Sequence, residues 1–185
     1  MTESPKYFSL RIELLGIQPL IWRRMMAPVT ITLPKLSHAI LGAMGWANSH
    51  LHQFEIDGKS YGLPVEFDNL EIINEKGTRL AQVLTEHITE FTYLYDFGDG
   101  WTHRVVVEGM QPGHPVWSTT VCVAGERACP PEDVGGIPGY MSFLTAISDP
   151  THPENAQMLI WIGGVFDPEG FDVNSANDRI RRMRG

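Results

Sequence analysis

The sequence has very little cysteine, fewer basic than acidic residues, and no apolar stretch long enough to cross a bilayer. Cys122 and Cys129 are the only 2 thiols among 185 residues, too few for a disulfide framework and suited to a reducing compartment. Lys and Arg number 14 against 22 Asp and Glu, a formal net charge of −8. That field repels phosphate backbones and anionic membranes, so nucleic acid could be held only by a local basic patch. No run approaches the roughly 20 apolar residues that span a bilayer. Met1 to Lys6 carries no hydrophobic signal core. A cytoplasmic protein with no membrane partner is expected. Internal repeats and low-complexity segments are also lacking, and the length fits one domain over residues 1–185.

What the chain does contain is a run of alternating and amphipathic patterns. Phe8, Leu10, Ile12 and Leu14 alternate with Tyr7, Ser9, Arg11 and Glu13, the period of a strand with one buried face. Beyond Gly16 and Pro19, a strand from Ile21 to Ala27 sets Trp22, Arg24 and Met26 on one face and Ile21, Arg23 and Met25 on the other. Thr32 is placed to cap a helix striped by Leu36, Ile40, Leu41 and Met44, and Gly45 to end it. His50 to Ile56, an Asp57-Gly58 turn and a partner strand through Tyr61 predict a hairpin. Residues 64–77 are mixed in pattern, and a short helix is expected around Leu80, Val83 and Leu84. The strongest hairpin runs in over Phe91 to Asp96, turns at Phe97 to Gly100 and runs out over Trp101 to Glu108.

Val116 to Val123 predicts a further strand, and Gly125 to Pro138 an ordered, irregular loop. Tyr140, Phe143, Leu144 and Ile147 form a helical stripe. Thr151 and Glu154 are spaced as a capping box for a helix through Ile160, and Asn174 is placed to cap a terminal helix reaching Arg184. Strands dominate the first two thirds and helices the last. The expected class is α+β, a mostly antiparallel sheet built from hairpins and packed with a few helices.

Chemistry concentrates in two segments: Tyr95-Asp96-Phe97-Gly98-Asp99-Gly100-Trp101-Thr102-His103 and Ala128-Cys129-Pro130-Pro131-Glu132-Asp133-Val134-Gly135-Gly136. Strand period puts Trp101 and His103 on the face of Val105 and Val107, so both point inward. Asp96 and Asp99 flank the turn. They either hold it by accepting backbone N–H bonds, or Asp99 orients His103, which predicts a buried contact between those two.

His50 and His52 share a face with Phe54 and Ile56. Two residues along a strand span roughly 6.6 Å, over which paired imidazoles can hold one metal ion or grip one anion, or simply meet loop carbonyls. Pro130 and Pro131 stiffen the loop that presents Glu132 and Asp133, as acid–base groups, cation ligands or caps for Gly135 and Gly136. Cys122 and Cys129 lack the tight spacing of a zinc knuckle; with His50 or His103 they make a metal site in space, and otherwise they are buried thiols. Basic residues gather only at Arg23-Arg24 beside Trp22, and at Arg179, Arg181, Arg182 and Arg184, where they complement a helix C-terminus.

Several of these words, in order, resemble the plasmid pRiA4b ORF-3-like family. They are Pro19-Leu20-Ile21-Trp22-Arg23-Arg24, Gly45-Trp46 with His50-Leu51-His52-Gln53-Phe54, Tyr95-Asp96-Phe97-Gly98-Asp99 with Trp101 and His103, Cys129-Pro130-Pro131-Glu132-Asp133 with Gly135-Gly136, Gly139-Tyr140, and Phe166-Asp167-Pro168. The resemblance covers nearly the whole chain. It implies an α+β fold and a mobile-element genetic context, and supplies no catalytic residues. Val134 stands where many relatives are expected to carry a cysteine, which weighs against a cysteine-based metal site.

Three functions stay open on the sequence. One is a non-catalytic binding or interaction module for a small ligand or a protein partner, with a His/Trp/Asp cleft lined by His50, His52, Trp101, His103 and Tyr140. Another is a metal-assisted, hydrolase-like enzyme in which some of His50, His52, Asp99, His103, Glu132 and Asp133 hold a divalent cation and activate water. The third is a nucleic-acid-associated accessory protein using Trp22, Arg23 and Arg24, against which the acidic balance weighs.

Overall fold

Every second side chain of β1 (Lys6–Leu14) goes into the core, as its alternation predicts: Phe8, Leu10, Ile12 and Leu14 are all buried. The structure is a computed structural model that describes residues 5–64, 71–114 and 117–183. β1 is a middle member of an 8-stranded sheet. The other strands are β2 (Ile21–Pro28), β3 (His52–Ile56), β4 (Lys59–Gly62), β5 (Ile72–Asn74), β6 (Glu90–Tyr95), β7 (Trp101–Pro112) and β8 (Val121–Glu126). Their order is β5-β4-β3-β6-β7-β1-β2-β8, antiparallel throughout except where β5 joins β4 in parallel. The helices are α1 (Leu33–Met44), α2 (Leu80–Val83), α3 (Gly136–Ser148), α4 (Asn155–Ile162) and α5 (Val173–Arg182). The fold is α+β, and among the described residues no helix is long and apolar enough to cross a membrane.

α1 carries its apolar stripe of Leu36, Ile40, Leu41 and Met44 fully into the core and ends at Gly45 in the left-handed region. The hairpin of β3 and β4 turns at Asp57 and Gly58, both at positive φ (52° and 68°), the geometry that matches the twist of paired strands. Register then builds the interior in rows. His52 pairs with Tyr95 and Tyr95 with Trp101; in the next row Phe54 pairs with Tyr93, Tyr93 with His103, and His103 with Leu14. Aligned pairs share a face of the sheet, so an aromatic and imidazole layer forms where the ends of β3, β6 and β7 meet.

Local expectations needed correction in several places. β5 emerges from the mixed stretch, of which residues 65–70 lie outside the described residues. β7 runs on to Pro112, and its register against β1 shifts between Ser9 and Leu10, one extra residue making a bulge. β8 starts at Val121 and consumes the beginning of the expected Gly125 to Pro138 loop; Val116 lies outside the described residues. No capping box forms at α4, because Asp149 takes both the Thr151 N–H (2.8 Å) and hydroxyl (2.7 Å). Asp172, not Asn174, caps α5 by accepting the Ser175 N–H at 2.7 Å. Arg184 lies outside the described residues.

Candidate functional site

Trp46 follows the left-handed Gly45 and drops into the layer just described. Its ring stacks on Tyr95 (5.2 Å between centroids) and Trp101 (5.8 Å) and meets the edge of His103 (5.5 Å). Its indole N–H donates to the Pro130 carbonyl at 2.9 Å. One buried side chain thus ties the segment after α1 to the proline-stiffened loop, and both to the β6–β7 hairpin.

Glu132 makes a second tie. One carboxylate oxygen accepts the Tyr95 hydroxyl proton in a very short bond, and the other accepts the Ala47 N–H at 2.9 Å. The Tyr95 oxygen in turn accepts the Ser49 N–H at 3.1 Å. Burial, reinforced by the Glu132 carboxylate, raises the Tyr95 pKa well above the ordinary phenol value, so Tyr95 serves as a fixed hydrogen-bond post. A third tie is Asp99, which accepts the Gly135 N–H at 3.1 Å. Gly136 sits beside it at φ 66°, where an added Cβ would stand 2.6 Å from the Asp99 carbonyl oxygen. Only glycine tolerates both that conformation and that approach.

These ties bring His50, Asp96 and Asp133 together. His50 Nε2 lies 2.9 Å from Asp133 Oδ1 and 3.6 Å from Asp96 Oδ2. One ligand atom from each of the three falls within 4.8 Å of the other two, the sole such group of His, Cys, Asp and Glu among the described residues. Asp96 has φ 57° and Asp133 φ 58°, a conformation that Asp tolerates better than most residues. Asp96 also holds the turn, its Oδ1 accepting the N–H groups of Gly98 (2.9 Å) and Asp99 (3.3 Å). The Asx turn and the site are therefore the work of two oxygens of one carboxylate.

The other expected site residues separate from this cluster. His52 turns its Nε2 to Glu75 Oε1 at 3.0 Å. His103 is fully buried, with Nδ1 3.1 Å from the Tyr93 carbonyl and Nε2 without a hydrogen-bond partner among the described residues. Burial lowers its pKa to about 4, so it is a neutral core imidazole in ordinary buffers. No Asp99–His103 contact forms; Asp99 is spent on Gly135. His50, His52 and His103 thus do not share one ion, because each is taken by a different partner. Trp101 and Tyr140 are also interior (1% and 0% exposed). Tyr140 packs against Phe143 and Phe166, and burial pushes its hydroxyl up to about 12. Trp101 and Tyr140 therefore both belong to the core and do not line a cleft as expected.

Cys122 and Cys129 are free, buried thiols, and desolvation raises both pKa values, Cys129 to about 12. Protonated thiols are poor metal ligands. Arg23 is buried, its guanidinium donating to the carbonyls of Ala43, Trp22, Glu126 and Arg127 and lying over the Phe171 ring at 4.1 Å. Arg24 is bound to both Glu108 oxygens, and Trp22 lies under Arg11 and Arg24. The expected basic patch is thus one structural cation and one neutralised one. Sequence reading missed Trp46, Tyr95 and Glu75 as organisers. The first two lie inside the family-like segments Gly45-Trp46 and Tyr95 to Asp99, whereas Glu75 falls in the stretch with no periodicity.

The chain is similar to known proteins over most of its length. A model described as plasmid pRiA4b ORF-3-like protein matches residues 6–175. The uncharacterized protein y4hQ of Sinorhizobium fredii (strain NBRC 101917 / NGR234) is 38% identical over 169 residues, covering 91% of this chain and 84% of that protein. The crystal structure of a protein of unknown function, MM3350 from Methanosarcina mazei Go1, is similar at a TM-score of 0.84 and 35% identity, covering 92% of this chain and 97% of the other. Sequence words, fold and relatives converge, and the chain belongs to the plasmid pRiA4b ORF-3-like family.

Proposed function

We propose that this protein is a non-catalytic binding module whose primary determinant is a divalent-cation site formed by His50, Asp96 and Asp133. The observation that carries this reading is the convergence of those three side chains, from three separate loops, to within 4.8 Å. Ligand atoms about 2.0–2.2 Å from one zinc-type ion stand roughly 3–3.5 Å apart, so a small closing of the trio suffices. One imidazole and two carboxylates suit zinc or manganese better than calcium, which takes six or more oxygens. The partly exposed His50 and exposed Asp133 leave room for a ligand to complete the coordination. Trp46, Glu132 and Asp99 fix the loops that carry the trio, the rigidity that a preorganised site needs.

Binding is favoured over turnover because the one deeply perturbed imidazole, His103, belongs to the core. The two protonated thiols, Cys122 and Cys129, are in keeping with work in the cytoplasm. The reading is tested by adding Mn²⁺ and following paramagnetic broadening of histidine ring signals. Saturable broadening centred on His50, lost in His50→Ala and Asp133→Asn, is expected. Uniform, unsaturable broadening that those variants leave unchanged contradicts it.

A further inference from the structure

His50 also lines one side of a groove of about 490 Å³ that opens between α1 and the loop preceding β3. Pro34, Leu51 and Leu63 give it apolar walls, and His38, His52 and Glu75 give it polar ones. Glu75 is only 2% exposed. The backbone fixes it just past β5, its N–H bonded to the Gly62 carbonyl (3.1 Å) and its own carbonyl accepting the Thr78 N–H (2.9 Å). Carboxylate oxygen Oε1 meets His52 Nε2, while Oε2 is buried with no hydrogen-bond partner among the described residues. Such groups are nearly always paired in folded proteins, and leaving one unpaired is costly, more so when it is charged.

We infer that this groove binds a primary ammonium group carried on a short apolar chain, its N–H groups donating to Glu75 Oε2 and its carbons lying along Leu51 and Leu63. A carboxylate accepts and never donates, so the ligand must bring the proton. An anion is repelled by the same oxygen. A metal ion is the wrong occupant, because among the described residues no third His, Cys, Asp or Glu joins His52 and Glu75 closely enough to complete a ligand set. Leu51 and Leu63 are exposed (43% and 54%), apolar surface that an alkyl chain covers. His38 contributes shape without charge, since burial and the neighbouring His52 hold its pKa below the ordinary value. Lys76 lies exposed at the rim and disfavours a second cation on the ligand, so a monoammonium is selected over a diammonium.

His50 borders both sites, but neither Glu75 nor His52, the groups that meet the ammonium, belongs to the trio. Its test is a titration with n-butylammonium chloride, read by the ¹⁵N and ¹H ring signals of His38 and His52. Saturable shifts are expected, with tetramethylammonium (a cation without N–H donors) and n-butanol (the same chain without charge) each binding about tenfold more weakly or worse. Glu75→Gln weakens butylammonium by a similar factor, and Leu51→Lys, an exposed rim change that leaves the core intact, weakens it too. Asp133→Asn leaves the amine response in place, which separates failure here from failure of the cation site. Equal binding of the three probes, or an unsaturable response, overturns the inference. So does wild-type affinity in Glu75→Gln, or, should that variant not fold, in Leu51→Lys.

Discussion

The Trp46 indole N–H donates to the Pro130 carbonyl across 84 residues of chain at 2.9 Å. Both residues are buried, so the bond cannot be replaced by water without opening the layer beneath it. Trp46 is where the helical half of the site and the proline-stiffened loop become one body.

Trp46→Phe keeps much of the stacking on Tyr95 and Trp101 but strands the Pro130 carbonyl. A loss of about 2 kcal/mol in urea unfolding is expected, from one buried unsatisfied acceptor and the smaller ring. The Glu132–Asp133 loop should loosen with it, and cation affinity at His50 should fall although Trp46 touches no ligand atom. Unchanged stability would show that the loop is held by its prolines alone.

Tyr95 and Glu132 should act as a unit. In a double-mutant cycle of Tyr95→Phe and Glu132→Gln, the coupling is expected to reach about 1–3 kcal/mol, because each single change leaves a partner unpaired in a shielded place. Additive losses, measured by denaturant unfolding of all four proteins, would mean that the short bond contributes no more than an exposed contact.

His103 predicts a pH dependence with a definite sign. Its pKa falls from 6.5 to about 4 on folding because burial disfavours the imidazolium. Between those values the unfolded chain binds the extra proton, so stability is full above pH 6.5, declines as pH falls, and levels off for this group below about 4. The total is on the order of 3 kcal/mol. His103→Gln should flatten this component in unfolding curves taken from pH 4 to 7.5. A variant that keeps the wild-type slope would assign it to other groups.

The backbone around Asp99 gives a contrast between two glycines. Gly136→Ala combines φ 66° with a Cβ placed 2.6 Å from the Asp99 carbonyl oxygen, whereas Gly163→Ala at φ 85° meets nothing within 4 Å. The second should cost about 1 kcal/mol, the left-handed penalty alone, and the first clearly more. Equal losses by thermal or urea unfolding would mean that the loop yields around Asp99.

How far the sequence announced this arrangement varies with the kind of signal. β1, α1 and the two hairpins were legible because their apolar periods match burial residue by residue, as at Leu10, Ile12 and Leu36. The pairing of His50 with Asp133 was not: 83 residues separate them, and no local pattern encodes which loops meet. Strand period did aim Trp101 and His103 inward, but it could not tell a cleft wall from a core. Their full burial follows from Trp46, whose position after a helix cap carries no periodicity. Arg23 shared a face with Ile21 and Met25 in the pattern, and that face proved to be the interior. β5 and Glu75 stayed hidden because a strand of 3 residues is too short to alternate convincingly.

The central claim, a cation held by His50, Asp96 and Asp133, is tested most directly by calorimetric titration of Zn²⁺ into wild-type protein and Asp96→Asn. Asparagine tolerates the left-handed backbone at this position and keeps an oxygen for the Gly98 and Asp99 N–H groups, so the turn survives while the charge is lost. The expected result is one ion per wild-type chain and affinity about tenfold weaker or worse in the variant. No heat of binding in the wild type, or equal affinity in both proteins, would contradict the site.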